Sequence, residues 1–276
     1  MSTTPEPGND ERKAQARAAR ERAEAGADAK AVRSRRIVRL LAVLAAAAVV
    51  VVIAIVASSS GGSKDSASKR TSAAKSASGG LTGQQEATAQ FAGIPQKGIY
   101  LGKSDAPLRA VSFVDMQCPY CREFELQVLP TLVKKYVRTG KLRMELRTLS
   151  FLGPDSVTAG RAVAAAAQQN KAWTFADILY FNQGEENKGW VTPALLGKAY
   201  KAAGVDAAKA TAYAKTPASQ NALGAANTLA SQLAVDSTPT ILVGKRGGGV
   251  AKINVDPADT AGYEKAIDAL LGGPGA

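Results

Sequence analysis

Hydrophobic residues are distributed unevenly along the chain, and their pattern separates four regions. The most apolar is residues 37–57, in which residues 40–57 include no polar side chain. A helix of that length spans roughly 30 Å, the thickness of a bilayer core, at a rise of about 1.5 Å per residue. Residues 1–36 are polar and predict a disordered tail, whereas the Ser-, Ala- and Gly-rich start of residues 58–91 predicts a flexible linker. A folded domain is therefore expected over residues 92–276.

The apolar segment has two interpretations, a retained transmembrane helix or a cleaved signal peptide. A signal peptide has an apolar region of about 7–15 residues and a short charged leader, and both are longer here. We therefore favour a retained single-pass anchor. Arg33, Arg35, Arg36 and Arg39 lie at its N-terminal end, and the positive-inside rule then places residues 1–36 in the cytoplasm. The chain is expected at the cell membrane, with its folded domain on the extracytoplasmic side.

The first part of the expected domain has the pattern of a strand, a helix and a second strand. Residues 108–114 are mostly apolar, and residues 141–149 alternate charged and apolar side chains, which is the period of a half-buried strand. Between them the apolar spacing predicts a helix that is kinked at Pro130 and ends near Gly140. A strand–helix–strand unit of this length predicts that the two strands are parallel.

The second part of the domain is mostly helical and ends with further strands. Residues 155–215 are Ala-rich and predict about four helices, and another helix is expected over residues 219–235. An apolar run at residues 240–244, a turn of three glycines and residues 250–255 predict an antiparallel hairpin, and a final helix follows. The pattern predicts an α/β fold with a helical insert.

The chain contains two cysteines, Cys118 and Cys121, with Pro119 and Tyr120 between them. They lie where the first strand gives way to the helix. Free N–H groups and the helix dipole favour a thiolate on the first cysteine, and the second, one turn later, is close enough to form a disulfide with it. Pro119 suits the first helical position because its missing N–H would have no partner there. This arrangement is typical of a redox-active dithiol.

Two other interpretations of the cysteines remain open, half of a zinc site and an inert structural disulfide. Zinc would need two more ligands, and the chain has no other Cys and no His. The absence of His also excludes a Ser–His–Asp triad and a His general base. The net charge is +12, but more than half of the excess lies in residues 1–80, outside the expected domain. We therefore predict no metal, no cofactor and no nucleic-acid partner.

The order of elements, the Cys118–Cys121 motif and Thr238–Pro239 before the hairpin together resemble the DsbA family of thiol–disulfide oxidoreductases. The resemblance covers roughly residues 97–273, and the anchor and linker resemble those of actinobacterial members. It implies a thioredoxin-like fold with an inserted helical domain, here residues 155–215, preceded by one transmembrane helix. We expect the insert to pack near the cysteine motif.

The resemblance also implies roles for particular residues. Cys118 would be the exposed nucleophile and Cys121 the more buried resolving cysteine, with Pro119 and Tyr120 completing the active-site motif. Thr238–Pro239 would form a substrate-binding loop with a cis peptide bond facing the sulfurs.

The sequence departs from the family pattern at two positions. Tyr120 stands where the best-known members carry His, which removes one stabiliser of the thiolate. Ser112 stands where thioredoxins place a buried acid. Asp115 is closer to the motif and is expected near the surface, as a proton relay or as a turn or cap residue. Arg122 either adds positive potential at the motif or is solvated.

These observations predict a membrane-anchored extracytoplasmic oxidoreductase that forms disulfides in exported proteins with free cysteines. A membrane partner would re-oxidise the enzyme. An isomerase or reductase on the same fold is the main alternative. A glutaredoxin-like enzyme and a non-catalytic, membrane-tethered binding module with a structural disulfide are further alternatives.

Overall fold

The computed structural model describes residues 81–272 of the chain. The predicted tail, the predicted transmembrane helix at residues 37–57 and most of the predicted linker lie outside these residues, so their predictions are not tested here. Across residues 81–272, none of the helices combines the length and the apolar character needed to cross a membrane.

A mixed sheet forms the centre of the domain. Its strands lie in the order β1-β2-β4-β3-β5-β6. The two long central strands, β3 and β4, are parallel, and every other neighbouring pair is antiparallel. The predicted parallel unit and the predicted hairpin are therefore confirmed, although the return strand of the hairpin is shorter than expected. The strands are β1 (Gln96–Lys97), β2 (Tyr100–Leu101), β3 (Leu108–Asp115), β4 (Leu142–Leu149), β5 (Thr240–Lys245) and β6 (Ala251–Lys252).

Eight helices are found in the described part of the chain, and four of them, α3 to α6, form the predicted insert. Proline occupies the first turn of α2, α3, α5 and α7, where its missing N–H costs no intrahelical hydrogen bond. The helices are α1 (Gln84–Phe91), α2 (residues 119–137), α3 (Pro154–Ala167), α4 (Ala172–Phe181), α5 (Pro193–Ala202), α6 (Ala207–Ala214), α7 (Pro217–Gln232) and α8 (Thr260–Leu271).

Helix α2, which carries the cysteine motif, continues past Pro130 and contains two widened turns. In these turns, Phe124–Val128 and Val133–Val137, an N–H bonds to the carbonyl five residues earlier. Pro130 follows the first widened turn and has no N–H to donate. A kink was predicted at Pro130. The structure instead has one widened turn before Pro130 and one after it.

The sheet has helices on both faces. Side chains of β3 alternate between them: Ala110 and Val114 belong to the main core with α2 and α8, whereas Val111 and Phe113 pack with α7 in a smaller second core. This three-layer arrangement fixes the end of β3, and hence the start of α2, between two rigid layers.

The prediction of a linker up to residue 91 is wrong at its C-terminal end. Helix α1 lies inside that segment, and its Ala87 and Phe91 are buried in the main core. The Phe91 ring lies 6.5 Å from the ring of Trp173 in α4, centroid to centroid. The folded domain therefore begins before residue 92. The helix has only these two core-facing positions, so its stability comes from tertiary packing rather than from a strong sequence pattern.

Candidate active site

The two cysteines lie where β3 ends and α2 begins, as predicted. Cys118 is the N-cap residue of α2 with extended backbone angles, and Pro119 is the first helical residue. Both cysteines are free thiols in this structure. Cys121 is fully buried, as expected. Cys118, however, is only 5% exposed, so the prediction of an exposed nucleophile is wrong. Its sulfur lies against the loop that contains Thr238.

The Thr238–Pro239 loop reaches the cysteines from the other end of the chain. Its peptide bond is cis, as the resemblance implied. The Cys118 Sγ donates to the carbonyl oxygen of Thr238 across 3.4 Å. The antiparallel pairing of β3 with β5 brings the two segments together, because β5 begins directly after this loop.

The two thiols have opposite electrostatic environments. A hydrogen bond from the Cys121 side chain, with smaller contributions from Thr238 and from backbone amides, lowers the pKa of Cys118 to about 6 against the opposing effect of burial. Burial raises the pKa of Cys121 well above its usual value. One sulfur is therefore a thiolate near neutral pH, and the other is held as a thiol.

Asp115, the last residue of β3, fastens the loop before Cys118 to the insert. It is fully buried, so its expected place near the surface is wrong. Its carboxylate accepts hydrogen bonds from the backbone N–H groups of Gln117 (2.9 Å), Phe151 (2.8 Å) and Leu152 (3.2 Å) and from Ser156 Oγ (2.6 Å). These contacts support the turn-or-cap role among the two that the sequence left open.

Side-chain amides make the next set of contacts to this loop. Gln183 Nε2 donates to the carbonyl oxygens of Met116 (2.9 Å) and Cys118 (3.1 Å). Gln117 is buried and accepts from the N–H of Asn187 at 2.8 Å. The insert therefore packs against the cysteine motif, as predicted. These glutamines could not be predicted from the sequence, because an amide that binds a distant backbone group has no characteristic spacing.

Arg122 is directed away from the sulfurs. Its Nε donates to the carbonyl oxygen of Tyr180 in α4 across 2.9 Å. Its role is thus to tie α2 to the insert.

A groove of about 570 Å³ opens beside the motif. Tyr120, which is 61% exposed, forms one wall, and Thr238 and Pro239 form another. Residues 252–257 complete the lining together with Tyr263 of α8. The groove reaches the neighbourhood of Cys118 through Thr238, whose carbonyl oxygen contacts the Cys118 sulfur. Across residues 81–272, no cluster of three or more Cys, Asp or Glu side chains is placed to hold a metal ion.

The fold and the site define the class of the protein, a thioredoxin-fold dithiol protein with a helical insert. The chain belongs to the thioredoxin family, whose model matches residues 95–269. The insert and the similarities described next make it a DsbA-type member, which confirms the resemblance.

Three similarities support this assignment. Over 98 residues the chain is 39% identical to the probable disulfide bond formation protein D of Bacillus cereus, covering 35% of this chain and 45% of that protein. The chain thus spans less than half of that curated relative. The crystal structure of oxidised BdbD from Bacillus subtilis matches with a TM-score of 0.58 and 24% identity, over 65% of this chain and 98% of BdbD. DsbA from Chlamydia trachomatis matches with a TM-score of 0.52 and 21% identity, over 63% of this chain and 91% of that one. Both crystal structures share the fold of this chain.

Proposed function

We propose that this protein is a membrane-anchored, extracytoplasmic thiol–disulfide oxidoreductase that forms disulfides in exported proteins with free cysteines. The observation that carries the proposal is the difference between the two thiols. Cys118, with its lowered pKa, is a good leaving group and nucleophile, whereas Cys121 is buried beneath it. The name of the Bacillus cereus relative supports the same direction of reaction.

The reaction runs through a mixed disulfide. In the oxidised enzyme, a substrate thiolate attacks Cys118 Sγ, the Cys118–Cys121 bond breaks, and Cys121 takes the electron pair and a proton. A second substrate thiolate then attacks the substrate sulfur of the mixed disulfide, and Cys118 leaves as a thiolate. Two electrons pass from the substrate dithiol to the enzyme, which is left reduced. A membrane partner with a disulfide or quinone group would then re-oxidise the enzyme.

The groove beside the motif would receive the substrate. An extended chain lying along Thr238 and Pro239 has access to backbone groups of that loop, the mode of recognition that an open strand edge provides. The exposed Tyr120 ring would pack against apolar side chains that flank the substrate cysteine. The recognition proposed here depends on unfolded or extended segments rather than on a particular sequence.

The anchor and the location belong to the same proposal. They are motivated by the apolar run at residues 37–57 and by the arginines that precede it. Disulfides form and persist outside the cytoplasm, so an extracytoplasmic domain fits the proposed chemistry.

A second candidate, an isomerase or reductase, is favoured by one observation. Tyr120 replaces the residue that stabilises the thiolate in the strongest oxidants of the family, and a less stable thiolate makes a weaker oxidant. The two directions are distinguished by which redox form of the enzyme acts on substrate.

The test uses the full chain and reduced, unfolded ribonuclease as substrate. The oxidised enzyme should transfer one disulfide per chain, and Cys118→Ser should be inactive. Cys121→Ser has no disulfide to transfer, so it is mixed with ribonuclease that carries disulfides. There its Cys118 thiolate should attack a substrate disulfide and accumulate as a mixed disulfide, because the resolving thiol is missing. If only the reduced enzyme acts, and only on scrambled disulfides, the isomerase candidate replaces the oxidase. If Cys118→Ser is as active as the wild type, the site is wrong.

A further inference from the structure

Two arginines lie side by side on the central strands, at the end of the sheet opposite the cysteines. Arg109 of β3 is paired in register with Arg143 of β4, so the two side chains leave the same face of the sheet. Neighbouring strands are about 4.8 Å apart, and like charges directly opposite each other destabilise a sheet. β3 runs from the pair to Asp115, a distance of about 20 Å, so the pair lies far from the cysteine motif.

The described part of the chain supplies no counter-ion for the two arginines. Within residues 81–272 neither Arg109 nor Arg143 forms an ion pair with an acid. Glu145 follows Arg143 on the same face of β4, but its carboxylate is bound by Nε and Nη2 of Arg147. The Nε atoms of Arg109 and Arg143 are buried without an acceptor in this region. Partial burial without a counter-ion disfavours a charge, so the positive charge of the pair is left unbalanced.

The positions on either side of the pair are glycines. Gly244 of β5 is paired with Arg109. On the other side, a Cβ on Gly102 would approach the Arg143 Cα to 3.5 Å. The turn after β5 folds over Gly244, because a Cβ there would come within 1.9 Å of the Gly249 carbonyl oxygen. The two arginines therefore have no bulky side chain beside them in their own row across the sheet.

Both guanidinium groups are held in place by neighbouring groups that carry no charge. Arg109 Nη2 donates to the carbonyl oxygen of Gly248 across 2.9 Å. The Arg143 Cζ lies 4.0 Å from the centroid of the Tyr100 ring. A guanidinium has five N–H donors and can stack on an aromatic ring while its edge donates. Both arginines are partly exposed, so the donors at the outer ends of their side chains can reach a ligand.

The charge of the domain is concentrated at this end of the sheet. Residues 81–272 carry twenty-one Lys and Arg and sixteen Asp and Glu, an excess of five cations. Besides the arginine pair, the strand ends and loops here carry one exposed acid, Asp105, and four exposed cations. The four cations are Lys103, Lys141, Lys245 and Arg246. Six cations and one acid at this end equal the whole excess, and such a field attracts anions.

We propose that Arg109 and Arg143 form a binding site for a phosphate group, either free phosphate or the headgroup phosphate of an anionic lipid. A phosphate presents oxygens in several directions, so it can accept from both guanidinium groups at once. Its negative charge would offset the repulsion between the two arginines. The proposed anchor would hold this domain beside a membrane surface, where headgroup phosphates are abundant. Phosphate binding here does not depend on disulfide exchange, because the cysteines lie at the other end of β3.

The test titrates the full chain, kept in solution with a neutral detergent, with inorganic phosphate in chloride buffer of constant ionic strength. Isothermal calorimetry should show saturable binding of one phosphate per chain. Arg109→Gln and Arg143→Gln should each weaken this binding at least about tenfold, because charge-assisted donors are lost. Arg143→Lys should also weaken it several-fold, because lysine keeps the charge but cannot donate two parallel hydrogen bonds. Disulfide exchange should be unchanged in all three variants.

Arg246→Gln is the matched control. It removes one positive charge from an exposed side chain at the same end of the sheet, and it should weaken phosphate binding less than twofold. If Arg246→Gln weakens binding as much as the changes in the pair, the attraction is diffuse and the proposed site is wrong. Absence of saturable binding to the wild type also overturns the site. If Arg109→Gln or Arg143→Gln does not fold, Arg143→Lys decides, and an unchanged affinity in that variant overturns the site.

A second titration separates the two sources of phosphate. Its probe is glycerophosphoglycerol, the headgroup of an anionic lipid without its acyl chains. Tighter binding of this probe than of inorganic phosphate would identify a lipid headgroup as the ligand, and weaker binding would identify free phosphate. Equal affinities would mean that the site recognises the phosphate group whatever is attached to it. Loss of disulfide exchange in the wild type would contradict the proposed function and leave this site unaffected.

Discussion

At the scale of single residues, the site works through the contrast between Cys118 and Cys121. A hydrogen bond from Cys121, with smaller contributions from Thr238 and backbone amides, lowers the pKa of Cys118. Burial, and then the hydrogen bond and charge of Cys118, raise the pKa of Cys121. A single cysteine motif thus yields a reactive thiolate and an unreactive thiol. Arg122 binds the Tyr180 carbonyl of the insert through its Nε.

We predict that alkylation of Cys118 in the reduced chain has a midpoint near pH 6, with Cys121 unreactive. Because the folded pKa lies below the unfolded one, the stabilisation of the fold by this thiolate is complete above about pH 9. It is lost as the pH falls through 6. Mass spectrometry after alkylation at graded pH measures the midpoint, with Cys118→Ser as control, and a midpoint near that of a free thiol would refute the prediction.

Asp115→Asn should destabilise the domain by about 2–3 kcal/mol. The amide offers only one acceptor oxygen, and its NH₂ group would face the N–H donors that the carboxylate now binds. Denaturant unfolding measures the loss. The control is Asp105→Asn, at an exposed position in the loop before β3. Its stability should stay within about 0.5 kcal/mol of the wild type. Equal stability of the two variants would show that the carboxylate does not fasten the loop.

At the scale of elements, the strands and the insert could be predicted because their patterns are long and regular. The alternation in β4 and the Ala-rich helices α3 to α6 are examples. Helix α1 was missed because only Ala87 and Phe91 face the core, and two positions do not establish a helical period. The widened turns in α2 were missed because they depend on packing around Pro130 rather than on a local signal.

Phe91→Ala should lower the free energy of unfolding by about 3–4 kcal/mol, as expected for loss of a buried aromatic ring. The cavity would open against Trp173 of the insert. Denaturant unfolding measures the change, with the exposed Gln85→Ala on the same helix as control. If both variants are as stable as the wild type, α1 is dispensable and the linker does extend to residue 91.

At the scale of the whole molecule, the site is assembled from segments far apart in sequence. The motif at residues 115–121, the insert contacts at residues 151–187 and the loop at residues 238–239 meet at one end of the sheet. The cysteines and the Thr–Pro pair could be predicted because they are recognisable motifs. The network around Asp115 and Gln183 could not, because its partners are backbone groups that only the fold brings together.

The proposed topology predicts that protease added to intact spheroplasts cuts the linker and releases the folded domain, while residues 1–36 stay protected. The basis is the cluster of arginines before the apolar run. Immunoblotting against tags at the two termini measures the result, and detergent lysis is the control in which both ends are cut. Protection of the folded domain in intact spheroplasts would contradict the proposed orientation of the chain.

The reduction potential of the Cys118–Cys121 pair tests the central claim most directly. A disulfide donor needs a stabilised reduced form, and the lowered pKa of Cys118 supplies part of that stabilisation. With Tyr120 between the cysteines, we predict a potential between that of a strong oxidant, about −120 mV, and that of thioredoxin, about −270 mV. Equilibration of the full chain with glutathione redox buffers measures it. A value at or below about −270 mV would contradict disulfide donation, and one below about −300 mV would indicate a structural disulfide.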